Sequence, residues 1–318
     1  MKSGQAEGSQ RRRRLVPEAR WPWYLCLALA VAGCKGKLVV PEDSTWGETV
    51  EAFQRHRAEE IGGPDGWITL VGRFPLHEGA NEVGSRSDLA AELPADRSPP
   101  LLGTVFVEAK APRFVAAPGV DVRVAGKPVT EVVMADDAEG QPTVLEHESL
   151  RLHVIHRAGD WYLRVKDRDH PARRRFAGLH WYPIDSAWRV HAQFTPAGAG
   201  ATVPIENVLH QTVAQASPGT VSFTVGGTRR TLVALSEGGP GLFLIFKDRT
   251  SGHETYPAGR FLETDAPGPN GTVELDFNRA FTPPCAFTEY ATCPIPPPEN
   301  RLDLAVTAGE KDHAHHGG

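Results

Sequence analysis

The spacing of apolar residues along the chain changes from a helical period to a strand period near residue 65. Trp46, Val50 and Phe53 recur at the spacing that places them on one face of a helix. The glycines and proline at 62–64 end this pattern, because they do not continue a helix. The pattern therefore predicts one amino-terminal helix.

From residue 67 onward, apolar and polar positions alternate, which is typical of half-buried strands. Apolar runs that flank short turns predict two hairpins, formed by 150–155 with 161–166 and by 221–225 with 231–235. The 32 Gly and 27 Pro favour short strands joined by turns and exclude a helical bundle. We predict a mainly β fold, with a short N-terminal helix followed by an antiparallel β-sandwich or barrel-like body.

A stretch of small residues, TPAGAGATV at 195–203, has the composition of a linker and divides the β body in two. The predicted parts are a signal peptide over 1–33, a tether and helix over 34–65, a first sandwich-like β subdomain over 66–195, a second β subdomain with a Cys- and Pro-rich motif over 204–310, and a disordered His-rich tail over 311–318.

The amino terminus has the order of a secretion signal. Residues 1–20 are basic, and the apolar run at 21–33 has thirteen residues, fewer than the about twenty that span a membrane as a helix. Its end, Val31-Ala32-Gly33-Cys34, resembles the lipobox of bacterial lipoproteins, which implies cleavage and lipid attachment at Cys34. We expect a chain anchored by lipid to a membrane of the cell envelope, on the periplasmic or cell-surface side. An ordinary secretory signal is the alternative.

The net charge of the chain excludes one class of binding partner. Loss of the signal removes a net charge of +4 and lowers the formal charge from −5 to −9, so we expect no nucleic-acid partner. One basic cluster stands out, formed by Arg164, Lys166, Arg168 and the three arginines at 173–175. Two interpretations stay open for it: an anion or lipid-headgroup site, or a solvated loop paired with the interleaved acids at 160, 167 and 169.

The carboxy-terminal third holds a set of polar residues that can form a ligand or catalytic site: Arg260, Asp276, Asn278, Arg279, Glu299 and Asn300. Asp276 and Asn278 fall on the polar face of a predicted strand over 272–278. A carboxylate beside Arg and Asn can hold a polar ligand or act as a general base. The alternative is a buried pair of Asp276 with Arg260 that ties the excursion 282–301 to the sheet.

Cys285 and Cys293 are spaced C-x7-C and lie between prolines. In an oxidising envelope a disulfide here would close a nine-residue loop and contribute roughly 2.5 kcal/mol. Structural thiols, or a metal-binding or nucleophilic pair, are the alternatives, although the spacing does not match a zinc site. We expect no metal and no cofactor.

Four longer segments carry a resemblance: GWITLVGRFPLHEGANEVGS at 66–85, VKDRDHPARRRFAGLHWYPIDSAWRV at 165–190, KDRTSGHETYPAGRF at 247–261 and LDFNRAFTPPCAFTEYATCPIPPPENRL at 275–302. In this order they resemble the bacterial domain-of-unknown-function family 1684. The resemblance implies a largely β fold with its distinctive polar residues in the carboxy-terminal third, and no established activity.

Three functions are consistent with these features of the sequence. The first is a membrane-anchored binding module with a polar site in its second β subdomain, for an unknown small molecule or an envelope protein. The second is a hydrolase-like or transferase-like enzyme that uses Arg260, Asp276, Asn278 and Glu299. The third is a structural envelope interaction protein, which predicts no concave polar site.

Overall fold

The structure is a computed structural model that describes residues 44–108, 111–138 and 140–313. The predicted signal peptide and Cys34 lie outside the described residues. Within the described part of the chain, no helix is long and apolar enough to cross a membrane.

The predicted amino-terminal helix is confirmed as α1 (Ser44–Gly62). Its residues Trp46 and Val50 are buried, as the helical spacing predicts. The last turn closes with a hydrogen bond from Gly63 N–H to Glu59 O at 2.7 Å. A second, short helix, α2 (Pro171–Arg175), begins at a proline, whose missing N–H costs nothing at a helix start.

The first half of the chain folds into a β-sandwich. Its strands are β1 (Leu70–Leu76), β2 (Gly79–Gly84), β3 (Ala91–Glu92), β4 (Gly103–Val107), β5 (Arg113–Ala116), β6 (Arg123–Val124), β7 (Lys127–Pro128), β8 (Glu131–Val133), β9 (Leu145–His147), β10 (Leu150–Arg157) and β11 (Asp160–Asp167). One sheet has the order β1-β11-β10-β9-β6-β7 and the other β3-β2-β4-β5-β8. Apolar residues from both sheets, such as Val105, Phe114, Leu152 and Leu163, form one buried cluster between them.

The second half carries strands β12 (Arg189–Pro196), β13 (Thr202–Glu206), β14 (Thr212–Ala216), β15 (Gly219–Val225), β16 (Thr228–Ala234), β17 (Leu242–Phe246), β18 (Arg260–Thr264) and β19 (Thr272–Asp276). A sheet of order β16-β15-β12-β19 packs against the β17–β18 hairpin, and β13 pairs with β14. Phe223, Leu244, Leu262 and Phe277 lie in the core between them.

A third apolar cluster lies between these two cores. Ile205, Phe243, Phe261 and Phe281 form its buried part, and Phe53 of α1 packs against it. The sandwich meets the second half along the Cys-Pro segment, which we define as residues 283–297. Arg73 of β1, for example, donates a hydrogen bond to the carbonyl of Ala291 at 3.1 Å.

The mainly β fold is confirmed, and so are both hairpins, β10–β11 and β15–β16. The body contains a sandwich, but none of its sheets closes into a barrel over the described residues. Two boundaries differ from the prediction. Strand β12 pairs with both β15 and β19, so the chain enters the second sheet before the small-residue stretch at 195–203. Lys311 and Asp312 donate backbone hydrogen bonds to His180 and Glu254, so the packed chain extends into the predicted tail.

Candidate functional site

Arg260 is fully buried and paired with Asp248. Its Nη2 donates to Asp248 Oδ2 at 2.6 Å and to the carbonyl of Val306 at 2.8 Å, and its Nη1 donates to the carbonyl of Ala308. Neither side chain of the ion pair is exposed to solvent. The predicted pairing of Arg260 with Asp276 is therefore wrong, because Asp248 at the end of β17 lies directly against the guanidinium.

Asp276 and Asn278 belong to a different cluster, which holds α1 and the segment at Asp185 onto β19. Asp276 accepts from Trp46 Nε1 at 2.9 Å and from Asn278 Nδ2 at 2.9 Å. Asn278 also exchanges hydrogen bonds with the backbone of Asp185, both at 2.9 Å. Arg279 donates to Thr49 of α1 at 3.0 Å. These side chains connect elements of the fold.

Asn300 forms a third cluster. Its Oδ1 accepts from Val233 N–H at 2.7 Å, and its Nδ2 donates to the carbonyls of Val233 and Ile245. It thus joins β16 to β17, while the neighbouring Glu299 is exposed. The structure does not bring the six predicted residues into one cleft, because each buried member is held by separate structural partners.

A cavity of about 470 Å³ lies instead between the sandwich and the second half of the chain. We call it the interface cavity. Its lining comes from β10 and β11 of the sandwich, from β13, β14, β17 and β18, and from the Cys-Pro segment; it includes Trp67, Asp137, His156, Arg157, Arg164, Ile205, Asn207, Val213, Gln215, Leu235, Glu237, Phe243, Phe261, Ala291, Thr292 and Cys293.

On the sandwich side the cavity is lined by His156, Arg157 and Arg164, together with the carboxylate of Asp137. Arg164 of β11 lies directly opposite Arg73 of β1 and His153 of β10, so the three side chains form a row across adjacent strands. Lys166 shares their face, and its Nζ and the Arg164 guanidinium both lie over the Trp67 ring, at 5.8 and 5.3 Å. Burial lowers the pKa of His153 to about 4, with Arg164 adding to the shift, so this imidazole is neutral at pH 7.

Arg164 is only 7% exposed, yet it has no close carboxylate. Its Nη1 is 4.0 Å from Asp137 Oδ2, while Arg157 holds both oxygens of Asp137 at 2.8 and 2.6 Å. Its Nη2 reaches Thr292 Oγ1 at 3.5 Å, and its Nε has no hydrogen-bond partner. Burial, with repulsion from Arg157, lowers the pKa of Arg164 to about 10, which leaves it protonated at pH 7.

The lining residues from the second half of the chain are mostly apolar, together with Asn207, Gln215 and Glu237. Phe243 and Phe261 meet edge to face with ring centroids 5.0 Å apart, and Ile205, Leu235 and Ala291 continue the surface. A second cavity, of about 820 Å³, adjoins on the side of α1 and shares Trp67, Phe243 and Phe261. We call it the helix-side cavity. Its lining includes the carboxylates of Glu59, Glu60, Asp65, Glu237 and Glu263, together with His56 and Arg57.

Cys293 lines the interface cavity, and Cys285 lies beside it. The backbone N–H of Cys285 donates to Cys293 Sγ at 3.1 Å, and both residues are free thiols in this structure. The Cys293 thiol hydrogen-bonds to Cys285 and lowers the pKa of Cys285, while the same bond and burial raise the pKa of Cys293. The disulfide between them stays a prediction. No group of three or more His, Cys, Asp or Glu in the described ranges could hold a metal ion.

The basic cluster of the sequence divides in the structure. Arg168 makes two hydrogen bonds to Asp65, at 2.8 and 2.6 Å, and Arg173 and Arg174 donate to backbone carbonyls. Of this cluster, Arg164 lines the interface cavity, and its Nε has no hydrogen-bond partner. Sequence reasoning pointed to Arg164 but missed Trp67, Asp137 and Arg157, because these come from separate elements and share no local spacing.

The comparisons with known proteins agree with the resemblance found in the sequence. No curated protein matches the chain. Among solved structures, the chain is similar to the solution NMR structure of an uncharacterized protein of Haloarcula marismortui, at 33% identity over 46% of this chain and 83% of that one, with a TM-score of 0.39. Residues 174–311 match the family model described as "Protein of unknown function (DUF1684)", whereas the block at 66–85 lies outside the match. Through residues 174–311, the chain belongs to the DUF1684 family.

Proposed function

We propose that this protein is a membrane-anchored binding module that takes a small ligand into the interface cavity. The cavity itself carries the proposal. Its volume of about 470 Å³ lies in the range of about 300–1,000 Å³ that small-molecule sites occupy. Its lining combines apolar and aromatic side chains with a smaller number of polar groups, which is the composition that positions a ligand and selects it.

The residues predicted to be catalytic are already hydrogen-bonded within the fold, which favours a binding module over the enzyme alternative. Asp276, the general base of that alternative, is 7% exposed and already accepts from Trp46 and Asn278. A base must reach the proton that it removes, either directly or through one water. Neither Asp276 nor Arg260 lines the interface cavity or the helix-side cavity.

The membrane anchor rests on the sequence. The basic start, the short apolar run and Val31-Ala32-Gly33-Cys34 support lipid attachment at Cys34 and a place in the cell envelope. A Cys34→Ser variant of the full chain should move from the membrane fraction to the soluble fraction. A Cys26→Ser variant is the matched control and should stay with the membrane. Retention of Cys34→Ser in the membrane would contradict the anchor.

Ligand binding is tested by screening the full-length protein against a small-molecule library in a thermal shift assay, since a ligand that binds the folded state raises its melting temperature. Val213 lines the cavity, and a Val213→Phe variant should lose the shifts that the wild type shows. Val133→Phe is the control, because Val133 is 60% exposed on the sandwich surface. A library without hits, or hits that persist in Val213→Phe, would favour the structural envelope protein.

A further inference from the structure

We propose that the ligand of the interface cavity is a small organic anion, in which a carboxylate or phosphate group binds Arg164 and an apolar or aromatic body packs on Phe243 and Phe261. This inference rests on the proposed function and adds the chemical class of the ligand. It is carried by a buried guanidinium that lines the cavity, has no carboxylate within hydrogen-bond distance and leaves its Nε without a partner.

The charge around Arg164 is unbalanced. Arg73, Arg157 and Lys166 surround it, and Asp137 is the carboxylate nearest to it, at 4.0 Å. Asp137 is already paired with Arg157 through two shorter hydrogen bonds, so Arg157 largely neutralises its negative charge. A buried cation without a hydrogen-bonded counter-charge is unfavourable, and an external anion supplies what is missing.

Arg260 is a buried arginine with a structural role, and its contacts can be compared with those of Arg164. Its terminal nitrogens donate to two backbone carbonyls and to the Asp248 carboxylate at 2.6 Å. Arg164, by contrast, makes one bond of 3.5 Å, to Thr292. The Nε atom lacks a partner in both residues, so the difference lies in the terminal nitrogens and in the close carboxylate. The guanidinium of Arg164, with Nε unpartnered and Nη2 held by one bond of 3.5 Å, is a planar fork that matches carboxylate and phosphate oxygens.

The rest of the cavity defines the ligand's body and its orientation. Phe243, Phe261 and Leu235 line the same cavity as Arg164 and offer apolar contact, which a bare inorganic ion would leave unused. Glu263 lines the helix-side cavity and Glu237 lines both cavities, so an anionic group is repelled from the part of the interface cavity that Glu237 lines. The acid group is therefore directed to Arg164 and the apolar body to Phe243 and Phe261.

The test uses four probes on the full-length protein in calorimetric titrations: phenylacetate, phenyl phosphate, the neutral phenylacetamide, and inorganic phosphate. We expect at least one aromatic acid to bind about 10-fold or more tightly than phenylacetamide, because a charge-assisted bond to a buried Arg is lost in the amide. The preferred acid identifies the oxyanion, and weaker binding of inorganic phosphate shows the contribution of the aromatic body.

Variants separate the role of charge. Arg164→Met keeps an apolar stem and should lower the affinity for the preferred acid about 10-fold or more, while leaving the weak binding of phenylacetamide unchanged. Arg249→Met is the control, since Arg249 is exposed and pairs with Asp303 outside the cavity. Asp137→Asn, which removes the competing carboxylate, should tighten acid binding several-fold, and this readout does not depend on the stability of the Arg164 variant.

The outcomes distinguish the two proposals. Equal affinity for phenylacetate and phenylacetamide, or acid binding that survives in Arg164→Met, overturns the anion inference and leaves ligand binding at the cavity intact. Weaker acid binding in Asp137→Asn also overturns it. Absence of binding by all four probes overturns it as well, and the library screen then decides separately whether the cavity binds a ligand of another class.

Discussion

Glu310 is a buried acid whose protonation should control stability near neutral pH. Its side chain is fully buried, and its Oε2 accepts from Thr282 N–H at 3.2 Å and lies 3.7 Å from Arg57 Nε. Its Oε1 has no hydrogen-bond partner. Burial raises the pKa of Glu310 to about 7, although Arg57 opposes the shift.

The raised pKa sets both the sign and the size of the effect. Between the ordinary value of 4.5 and the folded value of about 7, the folded chain keeps a proton that the unfolded chain releases. The stabilising contribution of Glu310 is therefore fully present below pH 4.5 and is lost as the pH rises through 7. The difference between the folded and unfolded pKa values of Glu310 corresponds to about 3 kcal/mol in the free energy of unfolding.

Urea unfolding of the wild type and of Glu310→Gln at about pH 5 and about pH 8 measures this contribution. Glutamine does not titrate, so the free energy of unfolding of the wild type should fall relative to the variant by about 2.5 kcal/mol across this interval. Glu299→Gln, at an exposed position in the same part of the chain, should follow the wild type. Parallel pH profiles for wild type and Glu310→Gln would refute the reasoning.

Three further predictions concern single groups. His153, whose pKa is lowered to about 4 by burial, should give the opposite pH dependence: stability is lost as the pH falls from 6.5 to 4, and His153→Gln should reduce this loss by up to about 3 kcal/mol in acid unfolding curves. Asn300→Ala leaves the half-buried N–H and carbonyl of Val233 and the buried carbonyl of Ile245 without this partner and should cost about 3 kcal/mol in urea unfolding, whereas exposed Asn270→Ala should cost almost nothing. In protein from the cell envelope, denatured without reductant, mass spectrometry should find Cys285 and Cys293 protected from alkylation; two labelled thiols would contradict the disulfide.

Local patterns in the sequence predicted the parts of the fold that depend on local physics. The apolar face of α1 and the hairpins β10–β11 and β15–β16 follow from side-chain periods and turn residues. Strand β19 ended two residues earlier than predicted, because the Asp276 side chain accepts from Asn278 N–H and turns the chain into a short 3-10 helix at 277–279.

Such local patterns could not predict the hydrogen-bond partners of the buried polar groups. Asp276 bonds to Trp46, which lies 230 residues earlier, and this pairing exists because α1 packs beside β19. The alternation of Arg164 with Leu163 and Val165 places it on the outer face of the sandwich, which the strand period predicts. The aromatic residues that line the interface cavity with Arg164 come from β17 and β18, and these groups meet only in the folded chain.

The segment that matches the family, residues 174–311, depends on contacts with helix α1, which lies outside it. Residues 174–311 match the family, yet Asp276 and Glu310 within them depend on Trp46 and Arg57 of α1. A fragment cut at residue 174 would expose the hydrophobic surface that Phe53 covers and would strip two interior acids of their counterparts. An expression boundary drawn from the family match would therefore divide a single folding unit, and recombinant work on this chain should keep α1.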